Sequence, residues 1–380
     1  MQKNFSHYDL TLVQPEFNSH LTDLIIELDH LRKKTLSGST PPHTFFQIKS
    51  LFHMLESIGS ARIEGNRTTI AELVESKIEN NIPAGKHEQI AEIVNMEHAL
   101  AFIDENIEST SINRLLVSEL HKLVVNNLKQ EGSTTPGDYR ITPVRITGAS
   151  HIPPDIVAPY MDELFRFINA DDSPKYDLLK TALAHHRFAW IHPFDNGNGR
   201  TVRLLTYAMM VKQGFRVNQA RIINPTAVFC SDRNKYYYLL SKADTGAAKD
   251  LLAWCEYVLE GIKNEIIKID KLLDYSFLSE EILVPAINFS LERKQITPIE
   301  AKILKMAVTK QIFKAADIEQ IIPEKHPSII SRTIKKLKEQ KLIMADAKSP
   351  RLYMLQFTNN YLLRGIMAML DKQGFLPIKD

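Results

Sequence analysis

The stretch Ile191 to Arg203 in this 380-residue chain reads IHPFDNGNGRTVR, and it leaves the backbone few choices. Gly197 and Gly199 flank an asparagine between two segments of helical periodicity, Leu178 to Trp190 and Gly199 to Val211, so a helix, a loop and a second helix are expected. The glycines let the loop turn with its N–H groups inward, and the start of the second helix adds a positive dipole end. Together these make a cradle for an anion, read here as a phosphate chain. Arg200 and Arg203 share one face of the first turn, where two guanidiniums can fork neighbouring phosphates. His192, at the opposite lip, is the candidate base.

The whole string resembles the signature of the Fic proteins, His-x-Phe-x-Asp/Glu-Gly-Asn-Gly-Arg-x-x-Arg, at His192, Phe194, Gly197, Asn198, Gly199, Arg200 and Arg203. The resemblance implies a mainly α fold, with a Fic-type helical core and a β-hairpin flap. It also implies a protein adenylyltransferase that moves AMP from ATP to Ser, Thr or Tyr hydroxyls of a target protein and releases pyrophosphate. His192 would be the catalytic base, and Gly197, Asn198, Gly199, Arg200 and Arg203 would bind ATP. The family's acidic residue, which holds Mg²⁺ on the phosphates, is replaced by Asn196, with Asp195 one place early. An amide oxygen is a weaker ligand for a hard cation, so Asn196 is the metal candidate with reduced affinity expected.

Upstream, Ser60-Ala61-Arg62-Ile63-Glu64-Gly65-Asn66 matches the inhibitory motif of the same family, Ser/Thr-x-x-x-Glu-Gly/Asn. The resemblance implies that Glu64 pairs with Arg203 and withholds it from the γ-phosphate, with Ser60 as its companion. Read without the resemblance, Gly65 ends a helix and Glu64 is solvated.

Other segments supply the setting. Helices are expected near 19–34, 45–62, 87–105 and 112–128, with Thr69 and Glu72 forming a capping box for a helix through Glu79. The loop from Glu131 to Asp155 reads as a turn at Pro136-Gly137 and a short hairpin around Val144 to Gly148. In the family that hairpin holds the target segment as an added strand, which assigns Ile146, Thr147 and Gly148 to the flap. Helices near 155–169 and 177–190 lead into the signature, and His185 and His186 on the second are read as packed residues. Beyond it, Tyr236 and Tyr237 match a pair that meets the adenine end of ATP in relatives, and a core cluster is the plainer reading.

A long helix from Asp250 to Tyr275 is expected to end the core. The C-terminal part changes character: helices at 297–308, 315–321 and 327–340, then strands at 342–345 and 351–357, resemble a winged helix-turn-helix domain. From Lys294 onward there are 16 Lys+Arg against 8 Asp+Glu, so this part is basic while the chain as a whole carries +2. On its third helix Ser328, Ser331, Arg332, Lys335 and Lys336 are expected outward, to meet DNA or to dock a protein. The expected division is a helical N-terminal region with the inhibitory motif at 1–110, a Fic core at 111–278 and a winged helix at 290–380.

The remaining composition excludes more than it selects. Two cysteines, Cys230 and Cys255, make neither a disulfide framework nor a four-thiolate zinc site. The stretch MQKNFSHYDL has no signal-peptide apolar run, and nothing approaches a membrane span, so a cytoplasmic location without membrane partners is expected; a homodimer is the expected assembly. Two other functions stay open at this point: a DNA-binding regulator whose Fic core senses nucleotide, and removal of AMP through water activated by Glu64.

Overall fold

The computed structural model describes residues 7–33, 39–79, 82, 85–144, 152–215, 222–322, 326–346, 348–358 and 360–377. In chain order the helices are α1 His20–Lys33, α2 Pro42–Ile63, α3 Ile70–Glu79, α4 His87–Asn106, α5 Arg114–Val124, α6 Val157–Asn169, α7 Asp177–Ile191, α8 Asn198–Lys212, α9 Thr226–Ser231, α10 Arg233–Ala243 and α11 Ala248–Asp270. Next come α12 Tyr275–Phe277, a π-helical turn at Leu278–Leu283, and α13 Val284–Glu292. The chain finishes with α14 Pro298–Lys310, α15 Ala315–Ile318, α16 Pro327–Glu339, strands β1 Ile343–Ala345 and β2 Tyr353–Leu355, and α17 Leu362–Lys372. Two compact units result, one from Met1–Thr35, His53–Thr68 and Ala84–Ile267, the other from Leu36–Phe52, Thr69–Pro83 and Lys268–Asp380.

The first unit is built around α7 and α8. Every α7 residue from Leu178 to Phe188 is buried, as are Trp190 and Ile191, so the helix is enclosed on all sides and its polar side chains need partners inside. α6 and α8 pack against it, and α4 and α5 against α8. Leu183, Phe188, Leu205, Ala208, Trp254 and Val258 lie in the resulting core. Each large apolar side chain fully buried there contributes about 1.5–3 kcal/mol. The polar residues on α7 are paired inside it. Lys180 donates to Asp172 Oδ2 at 2.9 Å, His185 sits between Thr206 Oγ1 at 2.7 Å and Tyr236 OH at 2.9 Å, and His186 faces Asp244 Oδ1 at 3.0 Å. Both histidines are packed core residues. Burial holds His185 well below the ordinary histidine pKa, so its ring is neutral.

In the second unit α13 packs on α17, and β1 pairs antiparallel with β2, Ile343 opposite Leu355. A bridge from Phe313 to Tyr353 adds a second short backbone pairing. Thr69 and Glu72 form the expected capping box, with Thr69 N donating to Glu72 Oε2 at 2.8 Å and Glu72 N to Thr69 Oγ1 at 3.0 Å. A second box caps α14 through Thr297 and Glu300. Arg364 of α17 forks Glu75 and Glu79 of α3.

Some boundaries moved. The helix expected to reach residue 128 stops at Val124, because Asn127 takes a left-handed φ of 55° that α-helix excludes. The run expected to reach Tyr275 breaks after Asp270. Of the expected hairpin, described residues 136–144 form turns and bends without strand, while 145–151, including the flap candidates Ile146, Thr147 and Gly148, lie outside the described residues. No helix among the described residues is long and apolar enough to cross a membrane.

Candidate active site

α7 terminates at His192, which caps it in the left-handed region at φ 53°, its N–H still donating to Phe188 O at 2.9 Å. A non-glycine residue held there costs about 1–2 kcal/mol, so the surroundings must over-determine it. Arg140 does so. Its Nε donates to His192 O at 2.7 Å, its Nη2 to Ile152 O at 2.8 Å, and its backbone N to Pro193 O at 2.8 Å, all from a residue only 3% exposed. His192 Nδ1 lies 3.4 Å from Ala189 O. A carbonyl only accepts, so this contact assigns the proton to Nδ1 and makes Nε2 the basic nitrogen.

The loop beyond is held from inside. Asn198 closes a ring with Phe194, accepting from its N at 2.9 Å through Oδ1 and donating to its O at 2.9 Å through Nδ2. Its side chain is therefore spent within the loop, and only backbone remains to face a phosphate. The Phe194 ring stacks on His121 with centroids 3.7 Å apart and planes 2° from parallel. His121 donates through Nε2 to Asn196 O at 3.0 Å and accepts from Gly137 N at 2.9 Å through Nδ1. Burial pushes its pKa down to about 4, so the ring is a neutral brace at physiological pH. Gly197 follows at φ 73°, where a Cβ would also come within 3.0 Å of Val125 Cγ1.

At the N-terminus of α8 stands Glu64. A Cβ built on Gly199 would meet Glu64 Oε1 at 2.0 Å, so glycine is what lets that carboxylate approach the helix end. The same oxygen accepts from Arg203 Nη2 at 2.6 Å. Arg203 is fixed independently by Ser60, through Nε to Oγ at 2.8 Å and Nη2 to the backbone O at 3.0 Å. Burial pushes the Glu64 carboxyl up. Arg203, joined by Arg200 and His192, outweighs this and holds it below the ordinary value, so it stays ionised. Arg200, read as the second phosphate fork, is turned elsewhere: it lies 2.9 Å from Glu92 Oε1 and donates to Glu131 O at 2.9 Å. Glu92 also accepts from Asn66 Nδ2 at 2.7 Å, and with its Arg200 contact this joins the segment after α2 to α8.

Glu56, two turns before Glu64 on α2, is a different kind of carboxyl. It accepts from Thr226 N at 3.0 Å and from Thr226 Oγ1 at the start of α9. Burial raises its pKa to about 8 against those hydrogen bonds. With the folded pKa above the unfolded one, the unfolded chain loses its proton first. Stability is then full below about pH 4.5 and falls as pH rises toward 8. Glu56→Gln keeps the acceptor and removes the charge. Denaturant unfolding should therefore show the wild type losing stability relative to this variant between pH 5 and pH 8; parallel curves would show that Glu56 ionises in place.

Tyr236 is buried at 2% exposure against His185 and borders Arg203, whose charge opposes the strong upward push of burial on its hydroxyl. Tyr237 is 40% exposed beside it, ring centroids 5.1 Å apart, with Arg233 5.4 Å over its ring. Tyr237 is thus the one of the pair that can offer a face to a purine.

The residues present do not fit a resident metal ion. Asn196 Oδ1 accepts from Gly197 N at 2.7 Å and its Nδ2 donates to Gly132 O at 3.1 Å. Asp195 is turned to Ser133 Oγ at 2.5 Å and to Thr134 N and Oγ1 at 3.0 and 2.8 Å. Among the described residues no group of three or more His, Cys, Asp or Glu side chains is arranged to hold a metal.

Sequence reasoning missed Arg140, His121, Glu92 and Glu131. For Glu92 a signal existed: with Asn95 it heads the stripe Met96, Ala99 and Ile103 at helical spacing, so two polar residues occupy the buried face of α4. Nothing local marks the other three.

Residues 111–210 match the model of the Fic/DOC family. The protein adenylyltransferase Fic of Drosophila yakuba is 31% identical over 201 residues, which cover 51% of this chain and 37% of that protein. Its namesake from Nematostella vectensis is 28% identical over 240 residues, 59% of this chain and 51% of the other. The chain thus spans between 37% and 51% of the length of these curated relatives. A crystal structure of a Fic family protein from Desulfovibrio desulfuricans G20 aligns with a TM-score of 0.56 over 92% of this chain and 98% of that one. At 19% identity that likeness is one of fold.

Proposed function

We propose that this chain transfers AMP from ATP to a Ser, Thr or Tyr hydroxyl of a target protein and that Glu64 holds the reaction off. The observation that carries the reading is the ionised Glu64 carboxylate seated at the start of α8 against Gly199 and Arg203, where a helix end and a buried guanidinium would otherwise receive a phosphate. The match of residues 111–210 to the Fic/DOC family and the adenylyltransferase relatives support it. In the reaction, His192 Nε2 takes the proton of the target hydroxyl as its oxygen bonds to the α-phosphorus. The bond from that phosphorus to the bridging oxygen breaks, and pyrophosphate leaves in line. Loop amides meet the charge on the transferring group, and Arg203, once released, meets the leaving pyrophosphate. The test is to incubate the Glu64→Gly chain with cell lysate and ATP labelled in the adenosine part and to seek proteins gaining one adenylyl group by mass spectrometry. Intact ATP binding without any labelled protein would remove the transferase reading and favour a nucleotide sensor.

For the second unit the order α14, α15, α16, β1, β2 supports reading a winged helix whose α16 meets DNA. Ile330, Ile334 and Leu337 of α16 are buried, while Ser328, Ser331, Arg332 and Lys335 are exposed. Lys336 is exposed as well, and it also pairs with Glu300 at 2.7 Å. The expected result is that Arg332→Ala with Lys335→Ala weakens duplex binding and flattens its salt dependence by about 0.9 in log–log slope per lost phosphate contact. Binding that is absent or indifferent to salt would leave protein docking as the account of this face.

A further inference from the structure

We propose that Asn196 is a positioning residue that braces the signature loop, and that this site meets the charge of a bound polyphosphate with protein groups alone, without a metal ligand of its own. This rests on reading the site as one that binds a nucleotide.

The argument is an inventory of lone pairs and protons. Asn196 uses each polar group in the loop: Oδ1 accepts from Gly197 N at 2.7 Å, Nδ2 donates to Gly132 O at 3.1 Å, the backbone O accepts from His121 Nε2 at 3.0 Å and the backbone N donates to Asp195 Oδ1 at 3.0 Å. A hard cation on Oδ1 would share that oxygen with the positive end of the Gly197 N–H bond, and the amide has no net charge to offset this. The neighbouring acid cannot substitute. Asp195 accepts two donors on each oxygen, Ser133 Oγ and Asn196 N on Oδ1, Thr134 N and Oγ1 on Oδ2, which fills its four acceptor positions. Moving the acid one place early has thus turned it from the cradle to the 133–134 segment. The other nearby carboxylates are engaged by arginines: Glu92 and Glu131 face Arg200, and Glu64 faces Arg203. Once Glu64 is removed, what remains at the cradle are Arg203, the loop amides and the start of α8.

The brace has its own consequence. Asn196→Ala removes the links to Gly132 and Gly197, while Asn196→Asp keeps an acceptor for Gly197 N, places a second oxygen against the Gly132 carbonyl and supplies the missing charge. Two measurements on the full chain decide. In EDTA without nucleotide, Asn196→Ala should lower the melting temperature by roughly 2–4 °C, since even one lost brace shifts a domain of this size by that much; an unchanged melting temperature overturns the brace. In the Glu64→Gly background, calorimetric affinity for ATP should agree within about threefold between MgCl₂ and EDTA, and adding Asn196→Asp should make it at least about tenfold tighter with Mg²⁺. A tenfold preference for Mg²⁺ in the chain that keeps Asn196 overturns the metal-free site. If Asn196→Ala lowers the melting temperature but no ATP binds in either condition, the brace stands and the nucleotide reading of the site is what fails.

Discussion

Glu64→Gly should raise labelling of target proteins by about ten- to hundredfold over the wild type. The size follows from the bond it removes: a hydrogen bond between charged groups, worth about 1.5–3 kcal/mol net, biases the site toward the closed arrangement by that factor. The direction follows from what survives. Ser60 still holds Arg203 through Nε at 2.8 Å and Nη2 at 3.0 Å, so the arginine stays seated when its carboxylate partner is gone. The Gly199 end of α8 is cleared in the same step. Arg203→Ala should act oppositely, because it removes the lock together with the phosphate contact the lock hides, and the double variant should remain inactive. Titrating ATP against both single variants and the double checks this. Unaltered labelling in Glu64→Gly at every ATP concentration would reduce Glu64 to the residue after a helix.

His192→Ala, made in the Glu64→Gly background, should cut transfer by about 10²–10⁴ while ATP affinity stays within a few fold. The base acts only on the incoming hydroxyl, so the loss belongs to turnover and not to nucleotide binding. Separating the two requires the loop to survive, and the clamp is on the main chain: Arg140 grips His192 O at 2.7 Å and Pro193 O at 2.8 Å whatever side chain position 192 carries. Alanine tolerates the left-handed backbone no better than histidine, so a small stability loss is expected alongside. Calorimetry with ATP and single-turnover labelling distinguish the effects. Transfer retained within a few fold of the parent would remove His192 from the role.

Much of this was legible because it is local. The 3.6-residue period drew α1, α2, α6, α7 and α8 to within a few residues, and the Thr69 and Glu72 capping box appeared as spelled. Ser60 and Glu64 stand one turn apart on the sequence and both reach Arg203. What stayed hidden is where long side chains go. Arg200 and Arg203 look equivalent three residues apart, yet packing gives one to Glu92 and Glu131 and the other to Ser60 and Glu64. Asn196 and Asn198 both read as phosphate or metal ligands, and both amides serve the loop instead. Arg140 lies more than fifty residues before the backbone it clamps, a pairing no periodicity reports.

The double grip of Ser60 on Arg203 separates two ways of opening the site. If Glu64 alone rotates off, α2 keeps its last turn, Ser60 keeps Arg203 aimed, and the open state is competent at once. If the end of α2 frays, the Glu64 anchor and the Ser60 contacts go together, and the arginine, though unblocked, is unaimed. On the proposed reading, removing Glu64 and activating the protein are therefore distinct events. On that reading an activating ligand or modification has to act beyond Ser60, within the few residues up to Glu64, and leave the helix before it intact.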